Sequence, residues 1–257
     1  MLSDQWWPTV AGHSKWANIK HRKGAQDAKR AKLFTRLIKE VAVAVKEGGD
    51  DPDANPRLRV AIKNARKNSV PKDKIDAAIN KGSGADGTSY EESTFEGYAP
   101  NGVAVFVECL SDNNNRTVAN VRSYFNKYNG SLGKSGSVDY MFERKGVFIF
   151  PAEGLNEDDV TMELLDAGLE DIEQSEENFI ATCAFEDFGA LNAKLEELKI
   201  DAESNLERIP TTTVELDTDR AKSVLKLLEA IEDDEDVQNV FHNMEMNDAV
   251  IAAMEGW

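Results

Sequence analysis

The sequence predicts an α+β protein: an N-terminal three-helix domain followed by two ferredoxin-like α/β domains, one inserted in the other. The spacing of apolar residues is helical up to residue 82 and becomes strand-like from Ser89 onward. The charge divides at the same place. Residues 1–82 carry 18 of the 30 Lys+Arg residues but only 9 of the 47 Asp+Glu residues. The remainder of the chain therefore has 12 cations and 38 acids. The middle of the remainder shows a β-α-β-β-α-β order.

The first helix is predicted from Gln26 to the glycines at 48 and 49, which are typical of a helix end. Its apolar residues fall on one face, and its cations fall roughly opposite. The apolar set is Phe34, Leu37, Ile38, Val41 and Val45, and the cationic set is Lys29, Lys32, Arg36, Lys39 and Lys46, with Arg30 nearer the apolar side. We therefore expect one face to pack and the other to remain cationic, so that its charges can be neutralised with little loss of fold.

Two further helices follow the same pattern. One begins at Asn55-Pro56, a capping residue with proline at the first helical position. Its apolar stripe is Leu58, Ala61, Ile62 and Ala65, and its opposite face carries Arg59, Lys63, Arg66 and Lys67. The last helix starts near Pro71, uses Ile75, Ala78 and Ile79, and precedes a glycine-rich boundary at residues 82–87.

The second part is predicted to be two α/β domains. Residues 102–110 form a buried strand, 117–125 a helix and 136–144 a strand. Strands at 146–150, 171–176, 179–185 and 204–209, with helices at 157–167 and 188–198, give the ferredoxin-like order. A strand at 211–216, a helix at 218–231 and a strand at 237–243 then complete the outer domain.

The predicted domains are a leader at 1–10, a basic helical domain at 11–87, a discontinuous α/β domain at 88–144 plus 210–257, and an inserted domain at 145–209. The run Asp233-Asp234-Glu235-Asp236 is interpreted as a solvated loop, since calcium loops space their ligands and include a glycine.

Several classes of protein are disfavoured. No apolar run approaches the roughly 20 residues needed to cross a bilayer, and the first ten residues do not resemble a secretory signal, so we expect a cytoplasmic protein. Cys109 and Cys183 lack metal or redox spacing and are expected to be buried thiols. No catalytic motif accompanies the three histidines, so we expect no enzymatic activity, no cofactor and no metal.

The opening of the chain resembles the YebC/PmpR family over Ala11-Gly12-His13-Ser14-Lys15-Trp16-Ala17-Asn18-Ile19-Lys20-His21-Arg22-Lys23. Residues 26–34, 53–59, 71–73, 95–98 and 136–144, with Asn114, Arg116 and Thr117, match the family as well. The resemblance implies a three-domain, cytoplasmic, DNA-binding transcriptional regulator. Family members are also implicated in translation, including at ribosomes stalled on proline-rich sequence. Val10 stands where the family commonly begins with Met, so we attach no function to residues 1–10, whether they are an extension or a misassigned start.

The predicted nucleic-acid-binding residues are all in the basic helical domain. They are Lys15, Trp16, Lys20, His21, Arg22, Lys23, Lys29, Arg30, Lys32, Arg36, Lys39, Arg59, Lys63, Arg66 and Lys67. The cations would bind phosphates, while Trp16 is either a stacking contact or a core anchor. We expect DNA as the partner, with ribosomal or transfer RNA and the ribosome as the alternative. A protein-interaction module is a third possibility, because the acidic part could recruit basic proteins. We expect no membrane partner and a monomer, with weak self-association as an alternative.

Overall fold

The computed structural model describes residues 26–83, 90–175 and 177–255. These residues divide into two compact units. The inserted unit is residues 142–211, and the outer unit contains the helices before residue 84 together with residues 90–141 and 212–255. The predicted fold class is confirmed, because the helices are followed by two antiparallel sheets, and the strands of one sheet are inserted in the sequence between two strands of the other. The exact domain boundaries stay a prediction.

The helices and strands of the two units follow one another along the chain. The outer unit begins with α1 (Gln26–Gly48), α2 (Pro56–Lys67), α3 (Lys72–Gly82), β1 (Glu91–Tyr98), β2 (Ala104–Ser111), α4 (Asn114–Lys127) and β3 (Ser131–Leu132). The inserted unit consists of β4 (Phe142–Pro151), α5 (Glu157–Leu165), β5 (Leu169–Ser175), β6 (Asn178–Ala184), α6 (Phe188–Glu197) and β7 (Glu203–Pro210). The outer unit then resumes with α7 (Thr218–Glu232), β8 (Val237–His242) and α8 (Asp248–Glu255).

The three N-terminal helices pack through the apolar stripes that the sequence predicts. Val41 and Val45 of α1, Leu58 of α2 and Ile75 of α3 are buried in one cluster. Asn55 joins two of the helices, because its Oδ1 accepts from the amide of Leu58 at 3.1 Å while its own amide donates to the carbonyls of Ala44 and Gly49 at 2.7 and 2.8 Å. The predicted cap is thus confirmed, and it also fixes where α2 begins relative to the end of α1.

The inserted unit is ferredoxin-like, as predicted. Its four strands are antiparallel in the order β5-β6-β4-β7, and its core contains Phe148, Phe150, Leu164, Phe179 and Leu191. Strand β4 begins at Phe142, three residues before the predicted boundary.

The sheet of the outer unit has the order β3-β1-β2-β8, also antiparallel, and α4 and α7 contact each other. The arrangement is that of a ferredoxin-like sheet, but the strand that usually comes third in the chain comes first here, as β1. Because the long connection between β3 and β8 contains the inserted unit, the outer sheet is completed only near the end of the chain.

Two predicted strands of the outer unit are wrong. Within 136–144 only the last three residues are strand, and they belong to β4, because the amides of Gly136, Val138 and Asp139 donate to the carboxylate of Glu96 rather than to a neighbouring strand. Within 211–216 only Val214 pairs, through a single bridge to Met244. Their places in the sheet are taken by β3 and β1, neither of which was predicted.

Candidate nucleic-acid interface

Fifteen residues were predicted to contact nucleic acid, and the structure describes the side chains of seven. Lys15, Trp16, Lys20, His21, Arg22 and Lys23 lie outside the described residues. Lys29 and Arg30 lie in α1, but their side chains are outside the described set. The remaining seven divide into two groups that differ in their surroundings: Lys32, Arg36 and Lys39 on α1, and Arg59, Lys63, Arg66 and Lys67 on α2.

The α1 cations contact an acidic segment, residues 232–236, at the end of α7. The Nζ of Lys32 lies 2.5 Å from an Asp233 carboxylate oxygen, and Arg36 donates to the carbonyl of Glu232. Burial lowers the pKa of Arg36. Lys39 is only 7 % exposed, and its Nζ donates to the carbonyls of Leu110 and Glu235 at 3.1 and 2.8 Å and to Asp236 at 3.0 Å.

Asp236 is the centre of this acidic segment. It is 2 % exposed and accepts hydrogen bonds from the guanidinium of Arg116 at 2.7 Å and the hydroxyl of Thr117 at 3.0 Å, besides the one from Lys39. Burial alone would raise the pKa of Asp236, but hydrogen bonds from Arg116, Lys39 and Ser111 hold it below its ordinary value. Its carboxylate therefore joins α1, α4 and the segment before β8.

Asp234 has a similar role beside it. Its carboxylate accepts from the amide of Asn120 and the hydroxyl of Tyr124, each at 2.9 Å. Burial and the hydrogen bond to Asp234 raise the pKa of Tyr124 to about 12. Since Asp234 and Asp236 are both buried, the prediction of a solvated loop is wrong.

The contacts of the acidic segment also correct the view of the α1 face. Lys39 holds α1 against β2 of the outer sheet, and Arg36 holds it against the end of α7, so neutralising them is expected to affect the fold. Their predicted part in binding nucleic acid stays a prediction, and it now requires them to leave partners within the chain. Lys32 is the most accessible of the three, with its side chain 36 % exposed.

The α2 cations have different surroundings. Arg59, Lys63, Arg66 and Lys67 share one face at helical spacing, and α2 contains no acid. The guanidinium of Arg59 donates to the carbonyls of Pro52 and Asp53 at 3.1 and 2.9 Å. Both acceptors are neutral backbone groups, so these bonds do not neutralise its charge. Arg66 and Lys67 are exposed in the last turn and form no ion pair with any described residue.

One cation of α2 does not belong to this face. Arg57 contacts the carboxylates of Glu40, Glu47 and Glu92. Burial lowers the pKa of Arg57, but the interactions with Glu40 and Glu92 outweigh it and raise the pKa above the ordinary value. Arg57 therefore ties α1, α2 and β1 together.

Two exposed cations were missed. Lys72 and Lys74 lie in the first turn of α3, shortly after Lys67, and neither forms an ion pair within the part of the chain that the structure describes. The sequence feature that could have identified Lys72 and Lys74 is the short connection between α2 and α3, which brings the end of one basic helix close to the start of the next.

Among the described residues, no helix combines the length and apolar composition that a membrane span requires. Cys109 and Cys183 are buried free thiols, as predicted.

Comparisons with known proteins match almost the whole chain. The sequence model described as the TACO1/YebC protein N-terminal domain matches residues 14–85, and the model described as the TACO1/YebC second and third domain matches residues 90–244. A probable transcriptional regulatory protein of Idiomarina loihiensis is 49 % identical over 250 residues, covering 96 % of this chain and 100 % of that protein. The crystal structure of a conserved hypothetical protein from Aquifex aeolicus is similar with a TM-score of 0.83 and 42 % identity, covering 92 % of this chain and 99 % of that one.

Proposed function

This chain belongs to the TACO1/YebC family, and we propose that it is a cytoplasmic, non-enzymatic regulator of transcription that binds the phosphates of duplex DNA through its basic helical domain. The resemblance to YebC/PmpR is thereby confirmed, and the name of the relative points to regulation rather than catalysis. The DNA partner, the cytoplasmic location and the lack of catalysis are the parts that go beyond that name.

The observation that carries the proposal is the α2 face. It presents Arg59, Lys63, Arg66 and Lys67 on a helix without acids, and Arg66 and Lys67 are exposed without a carboxylate partner in the described structure. Lysine and arginine displace condensed counterions when they bind phosphates, which is the main source of affinity for DNA. Lys32, Arg36 and Lys39 of α1 are held by residues 232–236, whereas Arg66 and Lys67 of α2 are available without leaving a carboxylate partner in the described structure.

The interface can be tested with the triple variant R59Q/R66Q/K67Q. Each phosphate contact contributes a slope of about 0.9 to the dependence of log affinity on log salt concentration on duplex DNA, so losing three contacts is expected to lower the slope by about 2.7. The measurement is fluorescence anisotropy of two unrelated labelled duplexes over a series of salt concentrations. Both duplexes should lose affinity equally, because phosphate contacts carry no sequence information.

A matched variant removes three surface cations elsewhere in the same unit. R220Q/K222Q/K226Q changes the net charge equally, but its substitutions lie on α7. It is expected to leave the slope near the wild-type value. Equal effects of the two variants would show that the response reflects net charge alone and would refute the α2 interface.

A second candidate is a translation factor that binds ribosomal or transfer RNA and relieves stalling at proline-rich sequences. The α2 face is equally compatible with this candidate, because contacts from Lys and Arg to phosphates suit RNA as well as DNA and select no sequence. Sucrose-gradient sedimentation of the native protein, with crosslinking and sequencing of bound nucleic acid, separates the candidates. Promoter fragments would support the first, and ribosomal RNA in ribosomal fractions would support the second.

A further inference from the structure

Two large apolar side chains are exposed side by side on α5 of the inserted unit. Met162 is 72 % exposed and Leu165 is 55 % exposed, whereas Val160 and Leu164 of the same helix are buried in the core of the unit. Residues three apart are neighbours on a helix surface, so Met162 and Leu165 form one continuous apolar patch. Isolated exposed apolar side chains need no explanation, but contiguous ones with a polar rim are typical of interaction sites.

The rim of this patch is acidic. Asp158 and Asp166 lie four residues before and four residues after Met162, which is about one helical turn in each direction. Asp159 lies in the first turn of α5 next to Asp158. All three aspartates are exposed, and none forms an ion pair with a residue that the structure describes. The patch is therefore bordered by negative charges that remain available to a cationic partner.

Asp166 is not explained by the stability of α5. A helix carries partial positive charge at its N-terminus and partial negative charge at its C-terminus, so acids stabilise the first turn and oppose the last one. Asp158 is in the favourable position, but Asp166 is the C-terminal cap, and the last turn contains no basic residue to offset it. Its carboxylate thus costs helix stability while it extends the acidic rim beside Leu165.

The negative charge extends over the whole inserted unit. Residues 142–211 contain 19 acids and five cations. Lys194 lies beside α5 but is already paired, since its Nζ is 2.9 Å from a Glu163 carboxylate oxygen and 3.7 Å from one of Glu197. A second copy that docked through the same helix would bring the same acids, and a nucleic acid would bring phosphates, so both would be repelled. Charge complementarity favours a basic protein.

We propose that Met162 and Leu165 are the anchors of a docking surface for a basic amphipathic helix of a partner protein. Apolar side chains of that helix pack against the two anchors, and its lysines and arginines meet Asp158 and Asp166. A ridge of this spacing fits the groove of a second helix, and methionine adapts to partner surfaces of different shape. The surface goes beyond DNA binding by the basic helical domain and does not rest on it, because it gives the inserted unit a partner of its own.

Three fluorescent synthetic peptides test the proposal with the full-length protein. The basic probe is an amphipathic helix with leucine on one face and lysine on the other. The acidic probe has glutamate in place of lysine, and the scrambled probe keeps the composition of the basic probe but forms no apolar face. Fluorescence anisotropy should show binding of the basic probe and much weaker binding of the other two. Equal binding of the basic and scrambled probes would show that net charge alone attracts the peptide, and it would refute the docking surface.

The variant M162Q/L165Q removes both anchors without changing the charge. It is expected to weaken binding of the basic probe roughly 10- to 100-fold, because the complex loses the burial of two apolar side chains. L206Q is the control, since Leu206 is another exposed leucine of the same unit but lies on β7, and it should bind like the wild type. Thermal unfolding of M162Q/L165Q should match that of the wild type, because both side chains are exposed.

The variant D158N/D166N tests the acidic rim. It should slow association of the basic probe in stopped-flow fluorescence and weaken the dependence of the rate on salt, since complementary charges act mainly on association. D171N/E186Q removes two acids of the same unit that lie outside α5, and it should keep the wild-type rate. Equal rates for the two variants would show that the charge of the whole unit attracts the probe, and they would contradict a role of the rim.

The outcomes also identify the occupant. Loss of basic-probe binding in M162Q/L165Q but not in L206Q supports the proposal, and unchanged affinity in M162Q/L165Q refutes it. Self-association of the wild type in sedimentation velocity that M162Q/L165Q abolishes, without binding of the basic probe, would overturn the proposal in favour of a second copy. Duplex DNA binding should be the same in M162Q/L165Q and the wild type, so failure of the docking surface leaves the proposed function standing.

Discussion

Replacing Asp236 with alanine is expected to destabilise the outer unit strongly. The substitution removes the carboxylate that lies 3.0 Å from Lys39 and 2.7 Å from Arg116. The two cations differ in what happens next. The Arg116 side chain is 48 % exposed and can be hydrated in place, whereas the Lys39 side chain is 9 % exposed and would remain buried without its counter-charge.

The magnitude follows from that burial. Breaking a buried ion pair by removing one partner destabilises a protein by about 3 to 5 kcal/mol. Lys39 keeps the carbonyls of Leu110 and Glu235 as acceptors, so we take the lower end, about 3 kcal/mol. For a unit of this size, each kcal/mol shifts the melting temperature by about 2 to 4 °C, which gives a decrease of about 6 to 12 °C.

Differential scanning calorimetry of D236A measures this decrease, with D233A as the control three residues earlier. The Asp233 side chain is 65 % exposed and pairs with Lys32 at the surface, so its loss should change stability by less than about 1 kcal/mol. The double variant K39M/D236A should recover most of the loss, because it removes the unpaired buried charge. Equal melting temperatures for D236A and D233A would refute the reasoning and restore the view of residues 232–236 as a solvated loop.

Three further predictions concern single positions. Burial raises the pKa of Glu207 to about 7, above its unfolded value of about 4.3. The protonated group is compatible with folding below the unfolded value, and that contribution to stability is lost as the pH rises from there through about 7. The stability advantage of E207Q in urea unfolding should therefore grow from about pH 5 to about pH 8, and a constant difference would contradict it. Cys109 is buried with its pKa raised to about 12, so iodoacetamide should label it only after unfolding, as mass spectrometry would show, and rapid native labelling would count against its burial. A Cβ at Gly97 would lie 2.5 Å from a carbonyl oxygen and 2.8 Å from the Phe125 ring, so G97A should lose about 1 to 3 kcal/mol, whereas G189A, with open space in a helix, should lose nothing; equal stabilities would contradict the packing.

The helical part of the fold could be predicted well from the sequence because its signals are local. The stripe of Leu58, Ala61, Ile62 and Ala65 is buried as its spacing predicts. The Asn55-Pro56 cap needed only neighbouring residues to be recognised. Periodicity and capping act over a few residues, and those are the distances that a single sequence displays.

The outer sheet was harder to predict for an identifiable reason. Strand β1 contains Glu96, a charged residue that turns inward to bind three amides, so its sequence does not show the alternation of a half-buried strand. The residues whose amides it binds appeared to form a strand of their own. Both errors therefore have one cause, which is a carboxylate replacing backbone partners.

The candidate site shows the same limit. The spacing of Lys32, Arg36 and Lys39 correctly placed them on one face of α1, but their acidic partners lie about 200 positions away, as Lys32 and Asp233 are separated by 201. Net charge distinguishes a basic domain from an acidic one, but it cannot show which cations are already paired. The structure makes that distinction, and it directs attention to α2.

The central claim is that the α2 face, with Arg66 and Lys67 among its exposed cations, binds nucleic acid while the paired cations of α1 hold the outer unit together. Photo-crosslinking of the wild-type protein to a duplex DNA, with the crosslinked residues identified by mass spectrometry, tests it most directly. We expect crosslinks within residues 59–67 and none within residues 32–39. Crosslinks to residues 32–39 without any in α2, or crosslinks confined to the acidic inserted unit, would contradict it.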